Sequence, residues 1–184
     1  GLGQGWSRFM YGGSTGGYRY ALQDLLKTDG YKFRFLGAMS GPDDKAHDPR
    51  HEGRGGWEIS FFPCHGDGGQ ACAEWKKLQP DLILLLIGSN DMSRSVDPRG
   101  APARLAMRVD AILADCPNTQ LIVAQIPPLG DAAAEERAKA FNAAIPDLVK
   151  VRADAGKPIS LVDLHAALTA GDLADSMHPN AEGY

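Results

Sequence analysis

Cysteine is scarce: three residues in 184, at positions 64, 72 and 116. At most one disulfide can form, so this is not a small scaffold stapled by cross-links, and a packed core has to carry the fold. No apolar run approaches the ~20 residues of a membrane-spanning helix. No signal-peptide pattern is present either, a lack that excludes nothing about export. Basic clusters are also missing. The 19 Lys and Arg residues are scattered against 23 Asp and Glu, for a formal net charge of −4. A nucleic-acid footprint or a polybasic membrane patch is therefore not expected. Internal repeats, linkers and low-complexity segments are absent, so residues 1–184 read as one domain.

Hydrophobic residues make up 43% and charged residues 23% of the chain, the proportions of an ordinary globular protein. At this length a chain buries roughly 70% of its unfolded surface without staples. Its most informative stretch is residues 80–91. Residues 82–87 are an unbroken apolar run of strand length, as expected for a strand covered on both faces in a parallel sheet. It stops at Gly88, Ser89, Asn90 and Asp91, small or polar residues at a strand's carboxyl end, where open α/β sheets place their ligands. Taken alone, Asn90 and Asp91 read equally well as caps of the following turn.

The rest of the chain alternates between helix and strand patterns. Tyr18, Leu22, Leu25 and Leu26 share a helical face, and Gly30 supplies a stop. Residues 32–36 alternate like a strand, and Arg8 to Tyr11 could form a short one. Residues 38–56 form a loop rich in Gly, Pro, Asp and His, of a length that is usually functional or disordered. Its His47, Asp48, His51 and Glu52 fit no common metal-ligand spacing. A weak helix over 70–78 leads into the central strand. A helix over 102–115 presents Leu105, Val109, Ile112 and Leu113 on one face. Strands follow at 121–126 and 159–162, with a helix from Asp131 that Pro146 should kink or restart near Ile145. Such alternation implies right-handed crossovers and a doubly wound parallel sheet.

Cys64 and Cys72 flank a flexible polar loop that a disulfide can close sterically. Two reduced thiols are the alternative; the bonded reading points to an exported, extracellular protein. Cys116 has no evident partner.

Near the C-terminus stand Asp175 and, three residues on, His178. A carboxylate so placed can orient one imidazole nitrogen and leave the other to act as a base, although most Asp-x-x-His pairs are ordinary loop residues. After the last strand of a parallel sheet this pair reaches the same edge as residues 88–91. Acyl transfer needs a nucleophile, a base, an orienting acid and donors for the developing oxyanion. His178 and Asp175 supply base and acid. Asn90 offers a side-chain amide, and Gly56 a backbone N–H unobstructed by a Cβ.

Residues 88–91, the Gly56-Trp57 turn and the Asp175 to Pro179 run resemble three of the four sequence blocks of the SGNH (GDSL-type) hydrolases. Residues 51–57, 17–19 and 178–184 are most similar to the carbohydrate-esterase branch, acetylxylan esterases included. The resemblance implies a three-layer α/β/α sandwich around a five-stranded parallel sheet, flavodoxin-like in plan. It also implies Gly56 and Asn90 as oxyanion donors, and Asp175 and His178 as acid and base of a triad. No metal or organic cofactor takes part in that chemistry. The fourth block, which carries the nucleophile, departs from the pattern: its nearest match is Gly5, Trp6 and Ser7, with tryptophan in place of aspartate. Spacing to Gly17, Tyr18 and Arg19 favours Ser7. Ser14, preceded by two glycines and the strand-like Arg8 to Tyr11, is the rival. Relatives continue past Tyr184 into another helical turn or more, so both ends read as cut or altered.

The expected function is a serine esterase removing short acyl groups, acetyl above all, from carbohydrate. Its partner would be a small acyl ester or acetylated polysaccharide. Trp57, Trp6 and Tyr18 offer stacking faces for a sugar, though aromatics beside a sheet are more often core. A lysophospholipase or thioesterase of the same superfamily is the enzymatic alternative. A non-catalytic carbohydrate-binding relative is the other, favoured by the altered Ser7 block.

Overall fold

The computed structural model describes residues 16–41, 45–61 and 75–184. In chain order the elements are α1 (Tyr18–Thr28), β1 (Met39–Ser40), β2 (Arg50–His51), a 3-10 turn (Ile59–Phe61), β3 (Leu82–Leu85), α2 (Ser89–Arg94) and α3 (Ala101–Asp115). They continue with β4 (Gln120–Gln125), α4 (Ala132–Asp154), β5 (Ile159–Asp163), α5 (Leu164–Ala167) and a second 3-10 turn (Ala170–Asp172). Strands β3, β4 and β5 pair in that order and all in parallel, with Leu84 opposite Ile122 and Val123 opposite Leu161. Helices α3 and α4 carry the two crossovers and pack on each other, so they lie on one face of the sheet.

The core sits between that face and those helices. Leu105, Val109, Ile112 and Leu113 of α3 are all buried, the face that the sequence periodicity predicts. From α4 come Ala138, Phe141, Ile145 and Val149, and from β4 Leu121 and Val123.

Several expectations are corrected. Among the described residues the parallel sheet has three strands rather than five, beside a two-stranded antiparallel ladder of β1 and β2. Arg8 to Tyr11 lies outside the described residues, as do residues 70–74; residues 75–78 are helical. Residues 32–36 do not form a strand. The loop after them diverts nearby backbone donors: Phe35 N–H donates to the Asp48 carboxylate at 3.1 Å and Ala38 N–H to Glu52 at 2.8 Å. Among the described residues, strand β3 is not covered on both faces. Only Leu85 of its four residues is buried and Leu82 is half exposed, because β4 pairs with one edge and a cleft runs along the other. In α1 the buried residues are Arg19 and Gln23, while Leu25 faces solvent. Gln23 is drawn in because its amide closes on both backbone groups of Asp48, at 2.9 and 2.8 Å.

Helix α4 does not restart at Pro146; it runs uninterrupted from Ala132 to Asp154. Proline removes the N–H that the Asn142 carbonyl expects from four residues on. The side chain of Gln125, at the end of β4, donates to that carbonyl instead, at 2.9 Å. The Asn142 side chain completes the junction. Its Oδ1 accepts from Ile126 N–H and its Nδ2 donates to Ile126 C=O, both at 2.9 Å. All of this is buried.

Replacing Asn142 by Leu keeps the bulk and leaves two buried main-chain groups of Ile126 without partners. Each such group costs ~1–3 kcal/mol, so the expected loss is about 2–4 kcal/mol in urea unfolding. A loss below ~1 kcal/mol would show that the junction does not hold α4 to the sheet.

Candidate active site

Strand β3 delivers the first part of the site. After Ile87 the chain must turn sharply into α2, and Gly88 makes the turn at φ 121°. A Cβ there would lie 2.7 Å from the Phe141 ring, so glycine is required on both counts. Asn90 then sits in the first turn of α2, where its Nδ2 donates to Trp57 C=O at 2.9 Å. One amide N–H is engaged in this way and the second is the donor left for a ligand. Gly56, at φ 77° and exposed, lies in the turn beside it. Its carbonyl accepts from Arg94 Nη1 at 3.0 Å.

The second part is a closed turn between Leu173 and Pro179, which pair antiparallel. Within it Ala174 N–H donates to His178 C=O at 2.8 Å. Gly130, after β4, fastens the turn from outside by donating to Ser176 C=O at 2.8 Å. Asp175 and His178 meet inside it: Nδ1 of the ring lies 2.8 Å from Oδ2 and 3.1 Å from Oδ1 of the carboxylate. Oδ1 also accepts from the backbone N–H groups of Met177 and His178, at 2.7 and 2.8 Å. Burial pushes the Asp175 carboxyl up, but the His178 N–H, its ring and the Met177 N–H outweigh burial and hold the group below the usual carboxylate range. With Nδ1 turned to Asp175, Nε2 is the ring nitrogen on the opposite side.

Gly56, Asn90, Asp175 and His178 line one cleft of about 1160 Å³ along the edge of β3. Four of the five residues expected at the site therefore share it. Ser7 and its rival Ser14 lie outside the described residues, as do Trp6, Cys64 and Cys72. Cys116 is free and buried. Trp57 is half buried against the core, with the Arg54 guanidinium over its ring at 5.0 Å, so one stacking face is taken. The four polar residues weighed as metal ligands have other partners. His47 pairs with Asp24 at 2.9 Å, Asp48 binds Arg50 and Phe35 N–H, His51 Nδ1 accepts from Gly53 N–H, and Glu52 pairs with Arg54.

Two further residues of the cleft, both in blocks that carry the family resemblance, were given no role in the reaction from the sequence. Arg19 and His51 are more than nine-tenths buried, and Arg19 Nε and Nη2 and His51 Nε2 have no hydrogen-bond partner among the described residues. Burial, reinforced by the Arg19 charge, pushes the His51 imidazole down to about 4.

Residues 4–184 match the GDSL-like lipase/acylhydrolase family. The chain belongs to that family. Membership places the domain among carboxylic ester hydrolases, with an SGNH hydrolase-like α/β fold. A multidomain esterase of Ruminococcus flavefaciens is 31% identical over 191 residues, covering 92% of this chain and 25% of that protein. A putative endoglucanase X of Acetivibrio thermocellus is 37% identical over 87 residues, 46% of this chain and 35% of that protein. The chain thus spans about a quarter to a third of the length of these curated relatives. Among solved structures, a family 3 carbohydrate esterase of Clostridium thermocellum superposes with a TM-score of 0.78 at 28% identity, over 92% of this chain and 80% of that one. A family 3 carbohydrate esterase of Talaromyces cellulolyticus shares the fold at 0.77 and 23% identity, over 90% and 83%.

The buried imidazole yields a stability prediction. The folded state keeps His51 neutral down to about pH 4, whereas an unfolded histidine binds its proton near 6.5. Between those values only the unfolded chain gains the proton, so stability falls as pH drops through that window, by at most ~3 kcal/mol. Urea unfolding at pH 7 and pH 4.5 should show a larger drop for the wild type than for His51→Asn, which keeps the acceptor for Gly53. Equal drops would remove His51 as the cause.

Proposed function

We propose that this domain hydrolyses short acyl esters, acetyl esters above all, carried on carbohydrate. The observation that carries the reading is the Asp175–His178 contact at 2.8 Å, on the same cleft as Asn90 and Gly56. In the proposed reaction Asp175 holds the Nδ1–H tautomer of His178, and Nε2 takes the proton of a serine hydroxyl as it attacks the ester carbonyl. The C–O π electrons move to the carbonyl oxygen, which Gly56 N–H and the second Asn90 N–H stabilise. Collapse expels the sugar hydroxyl, protonated by His178, and leaves an acyl-serine. Water, deprotonated by the same imidazole, then releases the carboxylic acid and restores the serine. The nucleophile in this reading is Ser7, with Ser14 the competitor.

The carbohydrate part of the proposal is supported by the similarity to the family 3 carbohydrate esterase of Clostridium thermocellum, at 28% identity. Acetyl is the size the reading favours. The superfamily's lipid and thioester branch is the rival, and it predicts activity that rises with chain length.

p-Nitrophenyl acetate should be cleaved far faster than the octanoate ester, and acetylated xylan should release acetate. A preference for octanoate would transfer the domain to the lipid or thioester branch.

Ser7→Ala should abolish both hydrolysis and labelling by a fluorophosphonate, while Ser14→Ala retains them. The opposite pattern would make Ser14 the nucleophile. A folded wild type that neither hydrolyses nor labels would leave a carbohydrate-binding relative as the better account.

A further inference from the structure

The two proposed oxyanion donors come from segments far apart in sequence, and a shared oxygen must lie 2.7–3.1 Å from each. Such a site tolerates only about 0.5 Å of misplacement, so whatever ties the two segments together governs the reaction. The ties are visible. Helix α2 is only 6 residues long, and three of its side chains grip three backbone groups of residues 56–59. Asn90 Nδ2 holds Trp57 C=O at 2.9 Å, Arg94 Nη1 holds Gly56 C=O at 3.0 Å, and Asp91 Oδ2 accepts Ile59 N–H at 3.0 Å. Asp91 is fully buried, and Arg104 Nη2 fixes its other oxygen at 3.0 Å. Arg94 also reaches the Glu58 carboxylate at 3.2 Å. The helix itself is anchored, since Arg137 Nε donates to Met92 C=O at 2.7 Å.

We infer that Asp91 and Arg94 are positioning residues of the hydrolytic reaction, acting through Gly56 and Asn90. The inference rests on the proposed assignment of those two as oxyanion donors. Gly56 is exposed and sits at a positive φ, so its own conformation does little to hold its N–H in place. Arg94 fixes the carbonyl of that same residue, and Asp91 fixes the peptide N–H three residues on. Neither side chain needs to touch the substrate. Reading Asp91 as a simple helix cap does not account for its contacts, because its carboxylate bonds to another segment and to Arg104.

The test is a kinetic cycle on p-nitrophenyl acetate with the intact chain, using Asp91→Asn, Arg94→Met and Asn90→Ala, alone and combined. Arg94 is half exposed, so Arg94→Met keeps the test open if Asp91→Asn fails to fold. The expected result is a fall in kcat of ~10-fold or more for either positioning variant, with KM within ~2-fold. In the Asn90→Ala background each should cost less, because with one donor gone the spacing between the two no longer governs the reaction. Arg94→Lys, which still donates to Gly56 C=O, should recover part of the loss. A folded Arg94→Met with wild-type kcat would overturn the inference, as would losses that multiply fully with Asn90→Ala. A rise in KM at unchanged kcat would overturn it too, by making Arg94 a substrate contact. If Asn90→Ala keeps full activity, the oxyanion assignment fails and takes this inference with it. If the wild type hydrolyses no ester, the functional reading itself has failed.

Discussion

Two neighbouring side chains of α4, Phe141 and Asn142, set the positions of both halves of the cleft. The Phe141 ring stands where any side chain at residue 88 would have to go, so β3 can turn into α2 only as it does. The Asn142 amide closes on the backbone of Ile126 and fixes the end of β4. From Ile126 the chain needs only four residues to reach Gly130, whose N–H fastens the Asp175–His178 turn. Glu135, one turn into the same helix, holds Leu129 N–H at 2.8 Å on the way. Helix α4 is thus the common reference for a strand end and a distant turn. Pro146 is compatible with this because Gln125 supplies the hydrogen bond that proline withholds. The substitution that breaks most helices here frees a carbonyl for use in the core.

Arginine does much of the remaining fastening, although the chain is acidic overall. Arg94 binds Gly56 C=O, Arg104 binds Val96 C=O, Arg108 binds Ile59 and Ser60 C=O, and Arg137 binds Met92 C=O. A planar fork of fixed donors reaches several carbonyls of an irregular segment at once, which the single ammonium of lysine does less well. These arginines converge on residues 56–61 and 92–97, where regular hydrogen-bond ladders give out. Loop backbone around the site is therefore satisfied by side chains rather than by sheet. That explains how residues 56–60 are held without strand pairing.

How far the sequence disclosed this depends on the range of the interactions involved. The strands at 82–85, 120–125 and 159–163 and the face of α3 follow from local hydrophobic periodicity, and all are present. Asp175 and His178 were legible as a pair because three residues of spacing bring them together within one turn. Residues 32–36 have a strand's alternation, yet a ladder depends on distant partners, and here Asp48 and Glu52 capture backbone donors at and after the segment. The apolar face of α1 is only partly buried, with Leu25 exposed, and Gln23 is buried beside it by a hydrogen-bonding opportunity that apolar counting does not register. Asp91 looked like a cap for the same reason: its partners, Ile59 and Arg104, are 32 and 13 residues away.

The two halves of the cleft are held by different physics. The Asp175–His178 turn is held locally, by a carboxylate that accepts from two adjacent backbone N–H groups and a ring inside one seven-residue loop. Its geometry travels with its own sequence, and those donors hold the carboxyl below the usual carboxylate range. The Gly56–Asn90 half is held at long range, by side chains that each bridge more than thirty residues. Local closure is robust to change elsewhere, whereas a long-range clamp shifts with any repacking of α2, α3 or residues 56–61. Alterations far from the cleft should therefore reach the Gly56–Asn90 side first and leave the Asp175–His178 pair intact. Within this fold, the placement of Gly56 and Asn90 depends on the packing of the core more than that of Asp175 and His178 does.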